Sequence, residues 1–353
     1  LARKIRVLVV DDSAFMRRAL AQILEAAGDI EVVGTARDGE EGVAKALELQ
    51  PDVVTLDVNM PQMDGLTALC HIVDRTRARV VMVSSLTQEG AEVTLEALAL
   101  GAVDFVAKPG GTVSLGIKNL AEEIVYKVRA AARARVRGRP AARPDATAAR
   151  QKPAAPAGLP GLEWLAVIGV STGGPRTLEE VLIRLSPRLP LGVVVVQHMP
   201  PHFTLSFAQR LDRVCAVKVE EASEGAKVEA GKVIVARGGY HLHLRESGGG
   251  LRCHLSHRPE GTLFKPSVEV TMRSAMEAFS PQRMIGILLT GMGDDGAEAM
   301  AELRRRGGFT IAESEETAVV WGMPRAALER GGAEVVVPCY EIPAILERKV
   351  KRK

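Results

Sequence analysis

The sequence predicts an α/β protein made of two parallel-sheet domains joined by a linker, and three observations carry that expectation. Short apolar runs alternate with amphipathic helical patterns in two separate series. Several of those runs end on an acidic, hydroxyl or histidine residue, and an Ala/Pro/Arg-rich stretch divides the series. Alternation of this kind builds a sheet with helices on both faces. A chain of 353 residues is also longer than one ordinary core requires.

In the first series "IRVLVV", "EVVGTA", "DVVTLDV", "RVVMVSS" and "VDFVAK" read as strands. After the first of them Met16, Ala19, Leu20, Ile23 and Leu24 fall at helical spacing, and Gly28 marks the stop. The functional crevice of an open parallel sheet lies beyond the carboxyl ends of its strands. Asp11 and Asp12 follow the first strand, Asp57 closes the third, Ser84 closes the fourth, and Lys108 follows the fifth just before Pro109. Carboxylates gathered there repel one another unless a cation joins them, and hard oxygen ligands with room for water suit magnesium. The lysine offers a further positive contact to an incoming anion.

On the motifs "VVDDS", "LDVNMPQMDG", "VMVSS" and "AKPGG", residues 4–125 resemble the receiver domain of two-component response regulators. The resemblance implies a flavodoxin-like, five-stranded parallel sheet with Asp57 as phosphoacceptor. It further implies that Asp12, Asp57 and the main-chain carbonyl of Asn59 hold magnesium with help from Asp11, that Ser84 bonds the phosphoryl oxygen, and that Lys108 pairs with it. A histidine kinase is then the phosphodonor. Receivers gate many outputs, so the activity is to be sought further along the chain.

Residues 131–160 carry seven Arg or Lys against one Asp, among Ala and Pro. Such a mixture buries too little apolar surface to offset ordering, and it is expected to be an extended linker. Without aromatic interleaving or a helix-turn-helix pattern its charge does not make a nucleic-acid site, so no nucleic-acid partner is expected.

The second series, residues 161–350, reads as a doubly wound, mainly parallel α/β domain. Its strands are "LAVIGV", "GVVVVQ", "KVIVA", "YHLHLR", "LRCHLS", "MIGILLT", "FTIAE" and "AEVVVP". Helical runs are "RTLEEVLIRL", "FTLSFAQRLDR", "SVEVTMRSAMEAF" and "DGAEAMAELRRRG". "YHLHLRESGGGLRCHLS" reads as an antiparallel hairpin turning at Gly248 to Gly250.

Three strand ends here carry chemistry. Ser171 follows "VIGV", His198 follows "VVVVQ", and Asp294 and Asp295 follow "ILLT". A serine, a histidine and an acid in one crevice are the inventory of a hydrolytic triad. Gly173 and Gly174 allow close backbone approach, and N–H groups at the following helix start can hold an oxyanion. The competing reading makes Ser171 only the cap of that helix, whose first turn Pro175 suits. No P-loop lysine is present. His241, His243, His254 and His257 have no Cys or carboxylate pattern beside them and read as ordinary strand histidines rather than a metal cluster. His202, at a helix start, is a poorer base than His198.

"IGVSTGGP", "VVVVQHMPPHFT" and "LTGMGDDGAEAM", following the receiver motifs in that order, resemble the chemotaxis protein-glutamate methylesterases of bacteria across both domains. The resemblance implies Ser171 as nucleophile, His198 as general base and Asp295 as orienting acid. Asp294, at a variable family position, is the fallback, and Thr172, Gly173 and Met292 lie on the oxyanion side. The implied reaction is hydrolysis of glutamate 5-methyl esters on cytoplasmic chemoreceptor helices, releasing methanol, with glutamine deamidation through the same acyl-enzyme. Ester hydrolysis itself needs no cofactor. The order of domains suggests that the unphosphorylated receiver covers the Ser171 crevice until Asp57 is phosphorylated. The alternative is a phosphorylation-gated, non-catalytic receptor-binding regulator. One departure stands out: many members read close to "HRPSVDVLF" where this chain has "FKPSVEVTM", so Phe264 stands in for a histidine, a change expected to bear on substrate fit or the interface between domains and to leave the triad untouched.

Hydrophobic residues make up 46% and charged residues 25% of the chain, and no apolar run approaches the roughly 20 residues of a membrane span. The first apolar run ends in two aspartates, unlike a signal peptide. A cytoplasmic protein without membrane insertion is expected. Cys70, Cys215, Cys253 and Cys339 form no CxxC pair and read as buried thiols.

Overall fold

A computed structural model describes residues 3–85, 87–108, 113–135 and 161–351. The chain divides into two compact units, Leu1–Ala142 and Arg143–Lys353.

The first unit runs β1 (Ile5–Val10), α1 (Ala14–Ala26), β2 (Ile30–Ala36), α2 (Gly39–Leu49), β3 (Val53–Asp57), α3 (Gly65–Arg75), β4 (Arg79–Ser84), α4 (Gln88–Leu100), β5 (Asp104–Ala107) and α5 (Val113–Arg133). Its strands are all parallel in the order β2-β1-β3-β4-β5, which is the flavodoxin-like order. Ser13, Asp38, Asp64 and Thr87 cap α1 to α4, each accepting a main-chain N–H with its side chain. Caps of this type stabilise a helix by about 1 kcal/mol each. The structure differs from expectation at the end of the unit. α5 continues through Arg133, and Ala131 and Ala134 are buried, so the first residues of the expected linker belong to an amphipathic helix packed on the sheet. The alanine content that reads as linker also has the highest helix propensity. Residues 136–160, the rest of that segment, lie outside the described residues.

The second unit runs β6 (Trp164–Val170), α6 (Gly174–Leu182), β7 (Leu191–Gln197), α7 (Phe203–Val214), β8 (Lys218–Glu221), β9 (Lys232–Val235), β10 (His241–Ser247), β11 (Gly250–Ser256), α8 (Val268–Ala278), β12 (Met284–Leu288), α9 (Ala297–Arg305), β13 (Phe309–Glu313), α10 (Met323–Glu329), β14 (Val335–Val337) and α11 (Ile342–Lys351). Seven strands form a parallel sheet in the order β14-β13-β12-β6-β7-β9-β8, and β10 pairs with β11 as a separate antiparallel hairpin. Every residue of β6, β7 and β12 is buried. These strands are therefore continuous apolar runs in the sequence, as expected where helices cover both faces. Each fully buried Val, Ile or Leu contributes about 1.5–3 kcal/mol. The hairpin turns on Gly248 and Gly249, both with positive φ, in the two-residue geometry that glycine serves best.

One strand escapes the sequence reading. β8 is a half-exposed edge strand ending in Glu220 and Glu221, and without an apolar run or clean alternation it carries little signal. Cys215, Cys253 and Cys339 are buried and Cys70 is half-buried, and none of them is in a disulfide among the described residues. Burial pushes the Cys253 and Cys339 thiols up to about 12, which leaves them chemically inert near neutral pH. No helix among the described residues is long and apolar enough to cross a membrane.

Candidate active site

In the second unit β6 is central, with β7 on one side and β12 on the other. β6 leads through α6 to β7, whereas β12 arrives from much later in the chain. The strand order reverses here, and a crevice opens beyond the strand ends. Val170 is paired with Gln197 in register, and His198 N–H donates to the Val170 carbonyl at 3.1 Å. Ser171 and His198 are thus the next residues on adjacent strands. Ser171 N–H in turn donates to the Thr290 carbonyl beyond β12 at 2.9 Å. The three loops interlock through their main chains.

Asp295, not Asp294, reaches the histidine. His198 Nε2 lies 2.8 Å from Asp295 Oδ2, whereas Asp294 is exposed and ion-paired with Arg330 at 2.6 Å. Three further donors converge on the Asp295 carboxylate: Ser267 Oγ at 2.8 Å, Val268 N at 2.7 Å and Glu269 N at 3.1 Å. The last two belong to the first turn of α8, where unsatisfied N–H groups and the helix dipole favour an anion. Burial alone would raise the Asp295 carboxyl. The His198 bond and charge, followed by the two N–H groups, outweigh it and hold the carboxyl below its usual range. An ionised carboxylate only accepts, so Nε2 carries a proton, and in the neutral imidazole it is Nδ1 that has the lone pair. Nδ1 is buried and makes no hydrogen bond among the described residues, and the serine–histidine bond of a completed triad is therefore open.

Ser171 is buried at 5% exposure, and it does not cap α6. The N-cap is Gly173, with φ of 79° and no side-chain cap bond. The helix-cap reading of Ser171 is thereby removed. Gly173 is fixed by space as well as by φ: a Cβ there would lie 2.5 Å from the Val319 Cβ. Gly173→Ala is expected to destabilise the domain by about 2–4 kcal/mol in urea melts. Thr172 is buried, and its carbonyl accepts from Thr290 Oγ1 at 2.9 Å. Met292 is half-buried on the loop that carries Asp295.

Several supporting residues were not evident in the sequence. Gln197 Nε2 donates to both the Ser171 carbonyl at 3.0 Å and the His198 carbonyl at 3.2 Å. The buried Glu313 accepts Thr290 N–H at 2.7 Å. Ser267 was legible as the residue before an amphipathic run, but its second role spans 28 residues of chain to Asp295. Phe264 requires a correction. Its ring stacks on His198 with centroids 4.1 Å apart and planes 15° from parallel, so this position touches the triad that it was expected to leave alone. The cause is the tertiary path from the hairpin into α8, which sequence spacing does not reveal.

The other histidines of the second unit lie outside this arrangement. His241 is buried, with Nε2 at 3.1 Å from both the Pro259 carbonyl and Thr262 Oγ1. His243 Nε2 meets the Arg258 carbonyl at 3.2 Å, and His254 Nδ1 meets Glu224 at 3.0 Å. His257 lies against Tyr240, and His202 is the exposed N-cap of α7.

In the first unit Asp11, Asp12 and Asp57 bring carboxylate oxygens within 4.8 Å of one another, and they are the one such metal-spaced group among the described residues. Oxygen ligands of an octahedral magnesium stand about 2.9–4.2 Å apart, so the set fits that ion with a small adjustment. Burial pushes the Asp57 carboxyl up to about 6, with Lys108 opposing and Asp11 and Asp12 adding repulsion. A cation would relieve that crowding. Lys108 Nζ sits 2.7 Å from Asp57 and 2.9 Å from Asp11. Asn59 is exposed just beyond β3. Ser84 is buried at the end of β4, but its hydroxyl donates to the Gly90 carbonyl at 3.2 Å, so it must turn before it can meet a phosphoryl group at Asp57.

Known proteins bear on both units. A family model described as CheB methylesterase matches residues 166–346, and one described as response regulator receiver domain matches residues 7–117. A protein-glutamate methylesterase/protein-glutamine glutaminase of Caldanaerobacter subterraneus is 57% identical, covering 99% of this chain and 97% of that protein. One of the same description from Pyrococcus abyssi is 43% identical over 99% of this chain and 94% of its own. Among solved structures, the CheB methylesterase catalytic domain of Thermotoga maritima matches 53% of this chain and 98% of its own, at 41% identity and a TM-score of 0.52. With its receiver domain and its matched effector domain, the chain belongs to the CheB methylesterase family of hydrolases.

Proposed function

We propose that this protein hydrolyses glutamate 5-methyl esters on the cytoplasmic helices of chemoreceptors through Ser171, His198 and Asp295, and that phosphorylation of Asp57 activates it. The observation that carries the reading is the Asp295–His198 bond at the ends of β12 and β7, beside Ser171 at the end of β6.

His198 Nδ1 takes the proton of Ser171 Oγ as that oxygen attacks the ester carbonyl. The Nε2–H stays on Asp295, whose charge stabilises the imidazolium that forms. The nitrogens thus exchange the roles they have in the serine-protease template, where Nε2 faces the serine. Main-chain groups of Thr172, Gly173 and Met292, near the positive end of α6, face the developing oxyanion. Collapse passes the proton from His198 to the leaving methoxide, and methanol departs. Water, deprotonated by the same nitrogen, then attacks the acyl-serine, giving the glutamate carboxylic acid and free Ser171. A glutamine side chain follows the same course with ammonia as the leaving group.

In the receiver, Asp11, Asp12 and Asp57 with the Asn59 carbonyl would hold magnesium, which when bound neutralises charge around the acceptor. Asp57 accepts the phosphoryl group from a histidine kinase, Lys108 pairs with it, and the Ser84 hydroxyl turns to donate to it. A phosphodonor such as acetyl phosphate is expected to raise methanol release by about 5–150-fold, the usual range of such coupling. Asp57→Asn should abolish that rise and keep the basal rate. A rise that persists in the variant would refute gating at Asp57.

A further inference from the structure

We infer that Phe264 is a positioning residue of the catalytic histidine, its ring fixing the plane in which His198 presents Nδ1 to Ser171. The inference rests on the triad reading above and adds to it a residue outside the triad.

The His198 ring is held firmly at one end only. Asp295 takes Nε2, and Nδ1 has no hydrogen-bond partner among the described residues. One hydrogen bond fixes a point, and the torsion that swings an imidazole is broad rather than sharply staggered. With Nε2 anchored, the ring can still roll, carrying Nδ1 away from the serine. The Phe264 ring lies flat against the imidazole, 4.1 Å between centroids and 15° from parallel, and this offset-stacked contact resists that roll. The imidazole side chain is only 2% exposed. The flat face of Phe264 offers no hydrogen bond that could compete for Nδ1.

Phe264 is itself well anchored. The Lys265 carbonyl accepts Gly239 N–H at 3.0 Å, and the buried His241 binds the Pro259 carbonyl and Thr262 Oγ1 on the segment leading to Phe264. Three residues later Ser267 begins the clamp on Asp295. A single stretch, Phe264 to Glu269, therefore holds the base by its face and the acid by its oxygens. Base and acid are kept in register by one rigid piece of chain.

The test is methanol release from methylated receptor by the full chain, comparing wild type with Phe264→Leu, Phe264→Met, Phe264→Tyr and Ser171→Ala. Leucine and methionine keep the apolar volume but remove the flat face. Both are expected to lower kcat by about 10- to 100-fold, the cost of a reacting group displaced by about 1 Å, with KM little changed. Tyrosine should recover most of the loss. In imidazole ¹⁵N spectra Nε2 should stay protonated in both proteins, held by Asp295, while the Nδ1 signal, narrow in wild type, should broaden in the Leu variant as the ring rolls; identical Nδ1 signals would overturn the inference. Wild-type kcat in both Leu and Met variants would overturn the inference, as would a loss carried by KM alone or one equally deep in Phe264→Tyr. If instead Ser171→Ala retains activity, it is the triad reading that fails. The nitrogen spectra still test Phe264 independently of turnover.

Discussion

Ser171→Ala is expected to lower methanol release from methylated receptor by about 10⁶-fold, in line with the loss of a serine nucleophile elsewhere. The residue closes β6 with its main chain fully engaged: N–H to Thr290, carbonyl to Gln197 and Gly174. None of these bonds uses the hydroxyl. Gly173 caps α6, so no helix start is lost either, and the melting temperature should stay within a degree or two of wild type. Loss of activity without loss of stability separates a nucleophile from a structural serine. A variant that keeps more than a tenth of wild-type turnover would exclude Ser171 from the chemistry.

Asp295→Asn is expected to lower kcat by about 10⁴-fold. The carboxylate faces four donors: His198 Nε2, Ser267 Oγ, Val268 N and Glu269 N. Asparagine offers one acceptor oxygen and turns an N–H₂ group toward a set in which the Val268 and Glu269 N–H groups cannot accept it. If that group faces His198, Nε2 becomes the acceptor, the proton moves to Nδ1, and the base facing Ser171 disappears. If it faces α8 instead, the α8 clamp on the side chain is broken. Asp294→Asn is the matched control, since it weakens only the exposed pair with Arg330 and should leave kcat within about twofold, as surface pairs contribute little. Equal losses in the two variants would contradict the assignment of Asp295.

The strands of both sheets were legible wherever burial on two faces demanded an unbroken apolar run, as in β6, β7 and β12. Nucleophile, base and acid candidates followed from where those runs ended. Legibility failed where the determinant was tertiary. β8 needs only one buried residue, Val219, to pair at the sheet edge, and so leaves almost no pattern. The clamp on Asp295 joins a helix start to a loop 28 residues away. The stack of Phe264 on His198 depends on how the chain leaves the hairpin. Position along a strand predicts which residues share a crevice, but it does not predict which of them touch.

The sheet order also bears on how the activity comes into being during synthesis. Ser171 and His198 emerge early in the second unit, but Asp295, which follows β12 and so depends on the pairing of β12 with β6, lies 97 residues beyond His198. Contacts of such long separation carry a large loop-closure cost, which is the reason non-local topologies fold slowly. A nascent or partly folded chain therefore holds serine and histidine without the carboxylate that fixes the imidazole. On the proposed mechanism, hydrolytic competence therefore requires β12 to be docked beside β6, since β12 carries the chain to Asp295.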